Sequence, residues 1–230
     1  MRHPRSLALA AVAAAGLLAL GGCGSGRTVH VQQVLGFHGR RLVIDTASAG
    51  LRLVPGSGPG LRVERWVSGT AARPGHATWT LSGDTLRLSV DCTGLVFHCG
   101  ARFQVAVPAR LPVVIDGGSG AVQLRGVSGP VRVSTAAGDI TASALRSPAV
   151  RVTSSQGSAD VGFAAAPRLV DISCTSGSAT ARVPVSGHRY HVVVTAGGGS
   201  ARTRVRDYRL SRSVIRVMTS NGSALVVPES

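Results

Sequence analysis

The chain has no lysine. All 25 of its basic residues are arginine, against only ten acidic ones, and aromatic residues make up 3%. Beyond the N-terminal stretch, no segment is apolar enough to span a membrane. Each shortage excludes something. Glycoside hydrolysis needs two carboxylates held a few ångströms apart. Glu64 and Glu229 are isolated, and Asp116, Asp139, Asp160 and Asp171 fall at different offsets of the repeat described below, so no two should share a column on neighbouring units. Sparse aromatics argue against a sugar platform of stacked rings. Trp66 and Trp79 read as a core or cap pair packed on each other across a hairpin. No catalytic residue, metal or cofactor is expected.

The N-terminus reads as an address. Arg2, His3 and Arg5 precede an apolar run from Ser6 to Leu20, short for a membrane span and suited to a signal peptide of residues 1–22. The run ends in Leu20-Gly21-Gly22-Cys23. That resembles the bacterial lipobox, in which small residues precede a cysteine that takes a diacylglycerol. The resemblance implies lipidation at Cys23, a tether over 23–28, and a chain held on the outer face of the cell membrane by its lipid. Ordinary signal cleavage, with Cys23 a spare thiol, is the alternative.

Cys92 and Cys99 bracket a short loop between apolar alternations. An exported chain favours a disulfide between them, worth about 2–3 kcal/mol by loop-closure entropy. A metal site from Cys92, His98 and Cys99 is the other reading; it lacks a fourth ligand nearby.

What is abundant is a repeat. Gly120, Gly138, Gly157, Gly177, Gly199 and Gly222 recur roughly 18–23 residues apart, a period typical of stacked architectures. Seven and five residues before each stand Val113/Ile115, Val131/Val133, Val150/Val152, Val170/Ile172, Val192/Val194 and Ile215/Val217. Three before stand small residues: Gly117, Thr135, Ser154, Cys174, Ala196 and Thr219. Apolar positions continue two and four residues after. This parity matches a strand, where alternate side chains share a face. Each unit reads as strand, corner, strand. Glycine suits a corner that needs positive φ. A degenerate seventh unit fits if Ala49 replaces the glycine, placing Leu42, Ile44, Thr46, Leu51 and Leu53 in the inward columns. By this register Cys174 is a small packing residue. The serines after the corners (Ser158, Ser178, Ser200 and Ser223) are turn residues, and no histidine is spaced to activate them. His188 and His191 would face opposite sides of a strand.

The expected fold is all-β: a parallel β-solenoid of six to seven units, with an irregular β cap at 29–110 and regular repeats at 111–228, in one domain spanning 29–228. An antiparallel β-sandwich is the alternative, since each corner could join a hairpin. The runs 113–124 (VVIDGGSGAVQL), 131–142 (VRVSTAAGDITA) and 150–161 (VRVTSSQGSADV), with the export signal, Trp66, Trp79 and the Cys92–Cys99 loop, resemble the DUF4097 adhesin-like family, in particular its actinobacterial lipoprotein members. The resemblance covers about 40–228. It implies a solenoid-like fold, an envelope location, no known catalytic residues, and in some relatives an association with envelope stress.

Without Arg2 and Arg5, 23 arginines face ten acidic residues, a formal charge of +13. Such a charge favours acidic partners, although a GC-rich genome writes arginine for lysine without any such selection. The candidate surface comprises Arg132, Arg151, Arg202, Arg204, Arg206, Arg209, Arg212 and Arg216, with Arg132, Arg151 and Asp171 expected as a ladder on successive strands. The partner would be an acidic wall polymer or an envelope protein; export argues against nucleic acid. The function expected is non-enzymatic binding, adhesion or envelope support. A self-assembling structural module and a polysaccharide-cleaving enzyme are the alternatives.

Overall fold

The computed structural model describes residues 28–92 and 99–229. The signal segment, Cys23 and His98 lie outside the described residues. The first region holds β1 (Val29–Leu35), β2 (Leu42–Thr46), β3 (Gly50–Pro55), β4 (Leu61–Gly69), a 3-10 turn (Thr70–Ala72), β5 (Ala77–Ser82), β6 (Thr85–Val90) and β7 (Cys99–Val107). The repeat holds β8 (Val113–Gly117), β9 (Val122–Arg125), β10 (Val131–Ala137), β11 (Ile140–Leu145), β12 (Ala149–Gln156), β13 (Ala159–Phe163), β14 (Leu169–Ser176), β15 (Ala179–Val183), β16 (His191–Gly198), β17 (Ala201–Thr203), β18 (Val214–Asn221) and β19 (Ala224–Pro228).

The chain is all-β, in two large, mostly parallel sheets. One runs β16-β18-β14-β12-β10-β8-β2-β6-β5, the other β1-β4-β7-β3-β9-β11-β13-β15-β19-β17. Each strand–corner–strand unit gives its first strand to one sheet and its second to the other. Every pairing among β8–β19 is parallel, and antiparallel pairing is confined to β1–β4, β4–β7 and β5–β6.

Like columns meet in register. Val131 pairs with Val150, Val150 with Val170, and Val170 with Ile215. The unit around Ala49 takes the expected place: Leu42, Ile44 and Thr46 pair with Val113, Ile115 and Gly117, and Leu51 and Leu53 with Val122 and Leu124. The inward side chains of both regions form one continuous buried cluster. Burying each Val or Ile there contributes about 1.5–3 kcal/mol.

Two features depart from the sequence expectation. First, the last two units are interchanged in space. β18 and β19 insert between β14/β15 and β16/β17. The connections that allow this, residues 184–190 and 204–213, are the longest in the repeat, and Tyr190 and Val205 anchor them at 1% and 6% exposure. Second, β6 and β7 are not a hairpin. β6 pairs with β2 and β7 with β3, both in parallel, so that Leu86, Leu88, Phe103 and Val105 continue the inward columns. A further layer thus lies in the region read as irregular. The Cys92–Cys99 disulfide ties the residues after β6 to the start of β7, with Cα atoms 6.0 Å apart. β4, β1 and β5 cover this end of the stack.

The two tryptophans do not pack on each other. Trp66 stacks on His30, with ring centroids 4.7 Å apart. Trp79 meets Phe103 edge-on, carries Arg65 over its ring and donates Nε1–H to Gln33. Trp66 and Arg65 are successive residues of a strand, so they point to opposite faces.

The corners explain the glycines in more than one way. Gly157, Gly177, Gly199 and Gly222 have φ between 125° and 145°, whereas Gly120 and Gly138 do not adopt positive φ. What all six share is the stacking of corner on corner. A Cβ on Gly138 would stand 2.5 Å from the carbonyl oxygen of Gly120, and one on Gly157 2.6 Å from that of Gly138. Gly177 over Gly157, Gly222 over Gly177, Gly199 over Gly222 and Gly120 over Ala49 are tighter still. Inside the corner, Thr46 and Thr219 donate their hydroxyls to the carbonyls of Ala49 and Gly222, at 2.9 and 3.0 Å. These two threonines of the small column therefore satisfy corner carbonyls as well as saving space, whereas Ser154 Oγ is buried without a hydrogen-bond partner.

Gly138→Ala should destabilise the chain by about 1–3 kcal/mol in denaturant unfolding, the usual cost of overpacking. Gly58→Ala, at an exposed site with open space around it, should stay within about 0.5 kcal/mol. Equal effects at the two sites would refute the corner argument.

Candidate functional site

The eight candidate arginines fall into two groups. Arg132, Arg151 and Arg216 lie on the outer face of the nine-stranded sheet. Arg132 pairs in register with Arg151, Arg151 with Asp171, and Asp171 with Arg216. Asp171 sits between two guanidiniums, 3.3 Å from Arg151 Nε and 4.0 Å from Arg216 Nη1. These are solvent-exposed pairs worth under about 1 kcal/mol each. Arg132 and Arg151 also line a shallow apolar depression with Pro112, Pro130, Ala149 and Leu169.

Arg202, Arg204, Arg206, Arg209 and Arg212 lie on β17 and the connection that follows it, at the end of the stack formed by β16 and β17. Among the described residues Arg202, Arg204, Arg206 and Arg212 form no ion pair; Arg209 lies 3.7 Å from Asp207. Arg189, absent from the sequence reading, joins them: its guanidinium and that of Arg206 lie 5.2 and 5.3 Å from the Tyr208 ring centre. Positive charge is therefore concentrated and largely unneutralised at this end.

The same end is uncovered. Inward-column residues are 0% exposed in the middle of the stack, as at Val152, Val161 and Ile172. In the terminal layer Val194 and Ala196 are half-buried, and Ala201 and Thr203 are exposed. The connection after β17 holds the start of the edge: Tyr208 N–H donates to the Tyr190 carbonyl at 2.8 Å. Asp207 Oδ1 accepts the Val192 backbone N–H at 3.0 Å and contacts His191 Nδ1 at 3.0 Å. The Val192 hydrogen bond, then the His191 bond, hold the Asp207 carboxyl below its ordinary value. Nothing in the sequence spacing announced this contact, because Asp207 lies in a connection outside the repeat columns.

Asp45 and Asp116 are neighbours in one column of β2 and β8. This corrects the expectation that no acids share a column: Asp45 precedes Ala49 by the same offset as Asp116 precedes Gly120. Adjacent parallel strands stand roughly 4.8 Å apart, so the two side chains are neighbours on one sheet face. That face is open, Asp116 is exposed, and Arg87 Nε holds Asp45 at 3.0 Å. Asp160 is likewise occupied, by Arg182.

The corner serines serve the corners. Ser158 N–H donates to Asp139 Oδ1 at 2.8 Å, Ser178 N–H to Ser158 Oγ at 3.2 Å, and Ser200 Oγ to Ser223 Oγ at 3.2 Å. Among the described residues no serine hydroxyl bonds a histidine, and no group of three potential metal ligands occurs. Cys174 is 1% exposed, between Ser154 and Thr219 in register. Burial pushes its thiol above the ordinary range, which suppresses the reactive thiolate. Among the described residues no helix is long and apolar enough to cross a membrane.

Comparison with solved structures finds the same fold. A putative cell adhesion protein from Clostridium sporogenes is 12% identical, with a TM-score of 0.52, over 88% of this chain and 100% of that one. A putative adhesin from Bacteroides fragilis is 11% identical, with a TM-score of 0.57, over 88% and 97%. At these identities the likeness concerns fold alone. No family model matches the sequence, and no curated protein matches it.

Two outcomes check this geometry. Native protein should resist alkylation at Cys174 and label there only on unfolding; rapid native labelling would break the register. Because the Asp207 carboxyl is held low, its clasp is complete above the ordinary carboxylate value and is lost as pH falls through the lower folded value. The Val192 amide resonance should therefore be constant near neutrality and move only in that acidic window, and Asp207→Asn should abolish the transition.

Proposed function

We propose that this chain is a non-enzymatic, extracytoplasmic protein of the cell envelope that binds an acidic partner through the arginine-rich end of a solenoid-like β stack. The carrying observation is the group Arg202, Arg204, Arg206 and Arg212, which among the described residues forms no ion pair and lies on or next to the terminal layer. A surface meant only for solubility needs no such concentration. Clustered charge of one sign raises the encounter rate and affinity for the opposite sign. The lipobox-like Cys23 would hold the chain on the outer membrane face. Adhesion names on both compared structures agree with a surface role, as does the resemblance to the DUF4097 adhesin-like family. Self-assembly end to end is the second reading; arginines at one end and no acidic strand at the other disfavour it. Enzymatic cleavage has only the exposed Asp45–Asp116 pair to offer.

The test is binding of purified protein to poly(glycerol phosphate), an acidic wall-type polymer, across a salt series. Affinity should fall steeply with salt. Replacing Arg202, Arg204 and Arg206 together with Gln should weaken binding at least about tenfold. Replacing Arg132 and Arg151 should do much less, since they stand on a sheet face away from the open end and Asp171 already engages Arg151. Salt-independent binding, or equal loss from both sets, would contradict the assignment.

A further inference from the structure

We infer that the acidic partner is an extended polypeptide segment, added to the open edge of β16 as a further strand. This rests on the acidic-partner reading above and names the partner's form. The backbone supplies the argument. Along a parallel strand, successive N–H groups point to alternate sides. His191 N–H bonds Ser213 O within the sheet at 2.8 Å. Val192 N–H points the other way and is taken by Asp207. The same alternation directs the N–H groups of Val194 and Ala196, and the carbonyl of Val194, to the outer side. β16 is the last strand of its sheet. No proline and no inward-pointing charge protects this stretch, which are the usual devices for blunting an edge. Instead the inward positions stay apolar, as Val194, Ala196 and Ala201.

Three occupants can be weighed. A second copy would bring another strongly basic surface against this one, and the strands at its far end, VHVQQVL in β1 and ATWTLS in β5, carry no acid to attract it. The phosphodiesters of a phosphate polymer could accept from the arginines and the amides but carry no proton for the Val194 carbonyl, and its hydroxyls are not fixed in line with them as the N–H groups of a strand are. A polypeptide strand does both. Its period of two would set apolar side chains over Val194 and Ala196 and acidic ones towards Arg189, Arg204 and Arg206. The arginines that repel a second copy would then select an acidic strand, so one feature provides both exclusion and recognition.

The probe is a synthetic eight-residue peptide alternating Glu and Val, used with the full chain in detergent. Binding should slow exchange of the Val194 and Ala196 amides. N-methylation of every second peptide nitrogen, which leaves the charge intact, should weaken binding at least about tenfold. Arg202/Arg204/Arg206→Gln should weaken both peptides. If the methylated peptide binds equally, or poly(glycerol phosphate) protects the same amides, strand addition is overturned while the basic site stands. If neither acidic probe binds, both readings fall.

Discussion

Corner lies on corner with almost no space between backbones. The carbonyl oxygen of one corner occupies the place where a side chain on the next would begin, from Ala49 through Gly120, Gly138, Gly157 and Gly177 to Gly222 and Gly199. This close approach keeps the layers at strand spacing on both sheets at once. Register follows from it, and register decides which side chains are buried. A layer displaced by one residue would turn its Val and Ile columns to solvent. The hydroxyls of Thr46 and Thr219 brace the same corners from within.

Dependence on stacking also explains why the two ends differ. At one end the layer of β6 and β7 is tied by the Cys92–Cys99 disulfide, and β4, β1 and β5 then cover it with antiparallel strands. At the other, β16 and β17 have nothing beyond them. The connection carrying Asp207 touches only the start of the edge. Arginine, rather than further structure, guards the remainder. The open end thus combines inward residues left exposed with a concentration of positive charge. That combination suits binding to a broad surface.

Much of this was legible in the sequence, for identifiable reasons. Side chains in strands alternate strictly, so columns could be read from Val, Ile and small residues, including the degenerate unit at Leu42–Leu53 and the buried place of Cys174. Spatial order was not legible, because the interchange of the last two layers depends on where long connections run, and Tyr190 and Val205 carry no periodic mark. The β6/β7 layer was hidden because the stretch from Leu86 to Phe103 is longer than its counterpart from Ile115 to Val122 in the repeat. The ladder of Arg132, Arg151 and Asp171 emerged from register alone. The separation of the arginines into a sheet face that Asp171 shares and an end where most of them are unpaired did not, since it required the insertion of β18 beneath β16.

Amide hydrogen exchange across the layers of the free protein bears most directly on the claim that one end of the stack is open. Amides of β10, β12 and β14 that bond within the sheet should exchange slowest, near the global unfolding limit, and those of Val194 and Ala196 should exchange fastest among the inward-column residues. Protection of Val194 and Ala196 equal to that in β12 would mean that the end is covered, and would contradict the account of where this protein binds.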